Sequence, residues 1–235
     1  MKNNSVALGA LVVLGVASAQ SAAANENGFY IGGYVGQATK QPALDAYTGL
    51  TAGIQEFDNF QPVEERTSFD DKDTAFALIG GYRLNRYLAF EAGYAKLGKV
   101  AYHSRATGNY PLEPGSMATT VETEANGFSL SVLGTLPLTR DWELFARGGA
   151  LFADNHFRFD VRTQSQVFVP PTGRHASDSL SKGSTDNFAG IGISRRILEI
   201  YDLRLEYQRV FDAGTELTGG TADVDAALLG LTVTF

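Results

Sequence analysis

From about residue 28 onward, apolar side chains recur at every second position in short runs, and long polar stretches separate those runs. A period of two is the mark of a strand whose two faces meet different surroundings. Eight runs qualify: Gly28–Ala38, Thr74–Leu84, Leu88–Leu97, Asn126–Leu138, Trp142–Ala153, Phe188–Ile197, Tyr201–Val210 and Asp225–Phe235. Each matches the roughly 9–11 residues a tilted strand needs to cross a bilayer. The links alternate strictly in length. Asn85–Tyr87, Thr139–Asp141 and Leu198–Ile200 are tight, while Thr39–Asp73, Gly98–Ala125, Asp154–Asn187 and Phe211–Val224 are long. All long links therefore leave the sheet at one end, and the even strand number puts both chain ends at the other.

The two faces differ consistently. In the second run Phe76, Leu78, Tyr82 and Leu84 oppose Ala75, Ala77, Gly81 and Arg83; in the seventh, Leu203, Leu205 and Tyr207 oppose Arg204, Glu206 and Gln208. Glycines settle which face points where. Gly81, Gly93, Gly149, Gly192 and Gly230 share the parity of the charged residues. On a solvated face they would only weaken the strand, but inside a narrow barrel they leave room for a few long side chains. Aromatics near the strand ends fit two interfacial girdles: Tyr87, Trp142, Tyr201 and Phe235 at one rim, Tyr94, Phe152, Phe188 and Phe211 at the other. The expected fold is all-β, an eight-stranded antiparallel up-and-down transmembrane β-barrel with short periplasmic turns and four long external loops. A soluble lipocalin-like barrel is the alternative that alternation alone permits.

Lys2 ahead of the apolar stretch Val6–Ala17, followed by small residues ending Ala22-Ala23-Ala24, reads as a Sec-type signal peptide. Cleavage is placed after Ala24, with Ala19 as the alternative. The stretch is about 12 residues, short of the roughly 20 a spanning helix requires. The domain organisation is therefore 1–24 signal peptide, removed, and 25–235 barrel. Removing Lys2 leaves 18 basic against 26 acidic side chains, a net charge of −8, which argues against a nucleic-acid partner. The absence of cysteine excludes disulfides, thiolate metal sites and a lipoprotein anchor.

Short fragments then resemble a known family. Gly28-Phe29-Tyr30-Ile31-Gly32-Gly33, Gly80-Gly81-Tyr82-Arg83-Leu84-Asn85, Phe90-Glu91-Ala92-Gly93-Tyr94 and Leu205-Glu206-Tyr207 resemble the OmpA-like and opacity-type outer-membrane β-barrels. The ending Leu229-Gly230-Leu231-Thr232-Val233-Thr234-Phe235 resembles that family's C-terminal signal. This resemblance implies recognition of Leu229, Leu231, Val233 and Phe235 by the barrel-assembly machinery during insertion, and residence in the bacterial cell outer membrane. It speaks to fold and location, not to activity. Because the chain stops at the last strand, the peptidoglycan-binding domain of full-length OmpA proteins is expected to be absent, and cell-wall anchoring is not carried over.

Candidate chemistry lies on the inward parity. Arg83, Glu91, Arg147, Arg204 and Glu206 are expected to form an interior charge network. A barrel of eight strands has just enough interior to be filled by side chains, so the network reads as a paired polar core; a gated pore is the rival reading. His175-Ala176-Ser177 has the H-x-S spacing seen in lipid A deacylases, but a triad needs a third, orienting group at fixed geometry, and this pair is expected in a Ser-, Gly- and Pro-rich loop instead of on a rigid lipid-facing strand. The acids of the first link (Asp45, Glu56, Asp58, Glu64, Glu65, Asp70, Asp71 and Asp73) suggest divalent cations, but no EF-hand spacing is present. No catalytic residue, cofactor or metal is assigned, and the chain is not read as an enzyme. The expected role is structural and surface-interacting, with outer-membrane lipid and lipopolysaccharide as partners and an external ligand for the loops left open. A narrow porin-like channel is the alternative, and a lipid A-modifying enzyme follows it.

Overall fold

In the computed structural model, which describes residues 27–40, 44–111, 113–165, 173–215 and 220–235, the period-two runs become strands of a closed sheet. The expected signal peptide, residues 1–24, lies outside the described residues. In chain order the elements are β1 (Gly28–Lys40), α1 (Leu44–Phe57), β2 (Gln61–Asp70), β3 (Lys72–Asn85), β4 (Leu88–Tyr110), β5 (Glu113–Pro137), β6 (Trp142–Ser165), β7 (Gly173–Leu198), β8 (Tyr201–Thr215) and β9 (Gly220–Thr234). Eight of the strands form an antiparallel ring in sequence order, β1-β3-β4-β5-β6-β7-β8-β9, and β1 closes it against β9 from Tyr30↔Thr234 to Lys40↔Val224. The ninth, β2, pairs only with the outer half of β4.

The orientation follows the parity. Phe29 (68% exposed), Phe128 and Leu205 project from the wall, while Arg204 (2%), Glu206 and Thr232 are buried inside it. An exposed apolar band that encircles the barrel suits hydrocarbon, not water. Tyr94, Phe128 and Phe152 stand side by side across β4, β5 and β6 and mark its outer rim. At the opposite rim Tyr87, Trp142 and Phe235 are exposed. Phe188 corrects the girdle assignment: only 4% exposed, it shares the parity of Gly190 and Gly192 and points into the lumen. Its place at the end of a run had suggested a girdle, but in a strand parity decides the face.

The outward excursions are built differently from plain loops. β4 and β5 stay paired out to Tyr110↔Glu113, and β6 and β7 out to Gln164↔Gly173. Their Ser, Thr, Gly and Pro content reads as loop, yet Met117, Thr119, Val121 and Thr123 alternate with Ala118, Thr120, Glu122 and Glu124 in strand fashion. A bulge makes the β4 extension possible. Gly98 adopts φ +82°, which other residues take only with strain. Inward parity thereby shifts from Glu91, Gly93 and Leu97 to Val100, Tyr102 and Ala106.

The inward face of this extension carries its own core. Tyr47 of α1 packs on Tyr102, Val121 and Phe157, and Phe60 packs with Ala106, Met117 and Val161. Tyr47, Thr51, Ile54 and Gln55 recur at helical spacing, a signal present in the sequence but hidden inside a polar stretch. Tyr47 stacks on Tyr102 at 5.7 Å between ring centroids, and its hydroxyl lies 3.3 Å from Thr123 Oγ1. Removing that ring in Tyr47→Ala is expected to cost the α1 contact about 3 kcal/mol. Limited proteolysis would then cut within residues 44–60 while the barrel keeps its heat-modifiable gel migration. A cleavage pattern identical to wild type would show that α1 is held by other contacts.

Candidate functional site

Four charged side chains meet at mid-lumen, each projected by the inward parity of its strand: Glu91 from β4, Arg147 from β6, and Arg204 and Glu206 from β8. Glu91 is the hub. Its Oε1 accepts from Arg204 Nη1 at 2.8 Å and from the Tyr30 hydroxyl at 2.7 Å, and its Oε2 accepts from Arg147 Nη1 at 3.0 Å. Arg147 Nη2 donates to Gln208 Oε1 at 2.8 Å and lies 2.7 Å from Glu206 Oε1. Arg204 Nη1 also donates to the Tyr34 hydroxyl at 3.1 Å. The charged side chains are at most 6% exposed. Two cations face two anions, so the cluster is neutral, the condition under which buried charge is tolerable.

Aromatic rings brace the guanidiniums. Arg147 lies 5.5 Å from the ring centroids of Tyr34 and Phe188, and Arg204 lies 5.1 Å from Tyr30 and 5.6 Å from Phe145. The rings fit because glycines face them. A Cβ on Gly81 would sit 2.3 Å from the Tyr30 ring, and one on Gly230 would sit 2.4 Å from Tyr34.

Of the five residues expected to share a network, Arg83 stands apart. It pairs with Glu143 at 3.3 Å near the inner mouth, on neither of the central carboxylates. Sequence reading missed Glu143, Gln208, Tyr30 and Tyr34. Each lay on the inward parity, but Tyr30 and Tyr34 sit in a run whose glycines fall on both faces, Gly32 and Gly36 on one and Gly33 on the other, which blurs the contrast between them. At the outer mouth Asn155 Nδ2 donates to Ser184 Oγ at 2.8 Å, and Ser184 Oγ donates to Asp186 Oδ2 at 2.9 Å.

The remaining candidates lie elsewhere. His103 and His156 contact Thr120 and Ser181 on the outward face of the extension. His175 contacts Asp160, whose directly opposed strand neighbour is Ser177. That contact holds the Asp160 carboxyl below its ordinary range. The first-link acids are dispersed over α1, the turn after it, β2, its junction with β3 and the start of β3, apart from Asp45, whose side chain lies outside the described residues. Among the described residues no three His, Cys, Asp or Glu side chains group as a metal site. Leu229 and Phe235 are exposed on the lipid side of β9, with Leu231 and Val233 half-buried between neighbours.

Comparison with known proteins agrees with this architecture. The family described as the OmpA-like transmembrane domain matches residues 24–235. The chain belongs to that family. It is 27% identical over 189 residues to Outer membrane protein A of Escherichia fergusonii, covering 80% of this chain and 47% of the relative. Against Outer membrane protein A of Serratia marcescens it is 26% identical over 235 residues, covering 100% and 56%. The chain thus spans about half the length of the curated relatives it matches. Among solved structures, Neisserial surface protein A aligns at a TM-score of 0.44 and 13% identity, covering 88% of this chain and 97% of that one. This OmpA-like chain is an outer-membrane β-barrel protein of bacteria.

Proposed function

We propose that this OmpA-like barrel is a closed, non-enzymatic structural element of the outer membrane that holds a rigid β-extension out from the cell as an interaction surface. The observation that carries the reading is the mid-lumen cluster of Glu91, Arg147, Arg204 and Glu206, sealed by Tyr30, Tyr34, Phe145 and Phe188. Paired charges and rings fill the lumen at this level, as an eight-stranded interior allows, so conduction would require the cluster to come apart. Further support comes from α1, which packs across the inward face of the extension. The apolar band would be solvated by outer-membrane lipid and lipopolysaccharide, and Leu229, Leu231, Val233 and Phe235 would guide insertion by the barrel-assembly machinery. A lipid-directed reaction at His175 fits poorly, because His175 stands far beyond the level of the lipid headgroups.

Purified mature protein in a planar bilayer is expected to show no unitary conductance steps over prolonged recording. Cells displaying it are expected to attach to a surface that cells with a barrel shortened to the membrane level do not hold. Regular conductance steps from wild-type protein would replace the structural reading with the channel. Equal attachment by the shortened barrel would remove the role given to the extension.

A further inference from the structure

Beyond the bilayer, β2, β4, β5, β6 and β7 continue as one five-stranded sheet whose outward face takes no part in the lumen. One cross-strand row on that face breaks a rule of sheet design. Arg66 stands directly opposite Arg105, Arg105 opposite Ala118, Ala118 opposite Arg162, and Arg162 opposite His175. Like charges placed directly opposite destabilise a sheet. A local cost with no structural return is the mark of a functional surface. Two clefts, of about 750 and 660 Å³, meet over this row and share Arg66, Arg105, Ala118 and Arg162.

The row also has a shape. Ala118 carries almost no side chain, so it floors a trough walled by Arg66 and Arg105 on one side and Arg162 and His175 on the other. Neighbouring strands lie about 4.8 Å apart, which puts Arg105 and Arg162 about 10 Å apart at the backbone, near enough for one oxyanion to reach both guanidiniums. Glu64 pairs with Arg66 at 2.7 Å, and Asp160 serves both Arg162 at 3.1 Å and His175. Toward the membrane, Glu122 and Glu124 are engaged by Lys99 and Lys96 at 2.8 and 2.6 Å. Arg105 and Arg158 make no ion pair among the described residues, so the positive excess lies along the trough.

We propose that this trough binds a sulfated polysaccharide, with a sulfate seated over Ala118 between Arg105 and Arg162 and the sugar chain running across the strands. The proposal rests on the surface-presenting role given above and names its ligand class. Arginine suits planar, bidentate recognition of oxyanions, and the hydroxyls of Ser116 and Thr120, on the same face beside Ala118, suit sugar hydroxyls. Single-stranded nucleic acid fits less well, since it uses stacking platforms and, among the described residues, this face carries no Phe, Tyr or Trp. Lipid phosphates are out of reach. Arg162 lies ten residues beyond Phe152 on β6, which at about 3.3 Å per residue and a tilt near 40° is about 25 Å above the outer rim.

The test immobilises the mature protein in detergent and measures binding of dextran sulfate against neutral dextran of equal length. Wild-type protein is expected to bind dextran sulfate, more weakly as salt rises, and to ignore dextran. The double variant Arg105→Ser/Arg162→Ser is expected to lose about tenfold or more in affinity while keeping its heat-modifiable migration and gaining slightly in urea resistance, since a like-charge pair is relieved. Lys96→Ser/Lys99→Ser, which removes equal charge nearer the membrane, is expected to bind as wild type. Equal binding of dextran and dextran sulfate would overturn the proposal, as would unchanged affinity in the arginine variant. Competition at least as strong from an oligonucleotide or from lipopolysaccharide would also overturn it, assigning the face to that ligand instead. In any of those outcomes, conductance silence and attachment that needs the extension would leave the surface-presenting reading standing.

Discussion

Glu91→Ala is expected to lower the stability of the barrel by about 3–5 kcal/mol, the range for removing one partner of a buried ion pair. The carboxylate accepts from Arg147, Arg204 and the Tyr30 hydroxyl together. Without it the lumen would hold two guanidiniums against the single carboxylate of Glu206, and the Tyr30 hydroxyl would lose its acceptor. That loss is a large part of the 5–15 kcal/mol that holds a typical domain folded. The urea midpoint in detergent, followed by Trp142 fluorescence or by heat-modifiable migration, reads it directly. The control is Glu143→Ala at the inner mouth, which breaks the more accessible pair with Arg83 and should cost less, about 1–3 kcal/mol. A midpoint unmoved by Glu91→Ala would mean that water fills the lumen and screens the cluster, and the sealed interior would have to be abandoned.

Gly149→Val and Gly80→Val should part company sharply, although both add the same side chain to a membrane-spanning strand. A Cβ on Gly149 would fall 2.1 Å from Leu130 O and 2.8 Å from Ser131 Cβ, so β5 itself must move. Overpacking a well-filled interior costs about 1–3 kcal/mol or more, and backbone atoms cannot rotate aside. Gly149→Val is therefore expected to fold poorly or to lose heat-modifiable migration. Gly80 faces the lipid, and nothing lies within 4 Å of a Cβ built there. Valine at that position adds apolar surface toward hydrocarbon and strand propensity, so Gly80→Val should match or exceed wild-type stability. If Gly149→Val were tolerated and Gly80→Val were not, the inward and outward faces would be exchanged and the membrane orientation would fail with them.

Much of the barrel is legible in the one-dimensional pattern because parity in a strand is a hard geometric rule. Leu203, Leu205 and Tyr207 against Arg204, Glu206 and Gln208 is enough to say which residues share the lumen. Parity fails as a guide only where the backbone departs from two-residue periodicity, and Gly98 is such a point. Beyond it, the polar composition of residues 99–125 and 154–187 masks strands that stay paired, since a sheet wet on its outward face needs only small or half-polar residues on the other. The helix at Leu44–Phe57 escaped for the related reason that its buried stripe is short and partly polar.

What the sequence determined by itself was therefore a set of faces: which side chains look inward, which meet lipid, and that charge and glycine occupy the same side. Only the closed ring decided who meets whom. Glu91 and Arg204 are 113 positions apart along the chain, and their contact depends on strand tilt and stagger, which no local pattern encodes. The same closure sent Arg83 to Glu143 and away from the central carboxylates, and the register of four strands, β2, β4, β5 and β6, lined Arg66, Arg105 and Arg162 into one row. Alternation is a property of each strand alone, whereas register is a property of all the strands at once, so the first can be read from residues and the second needs the folded chain.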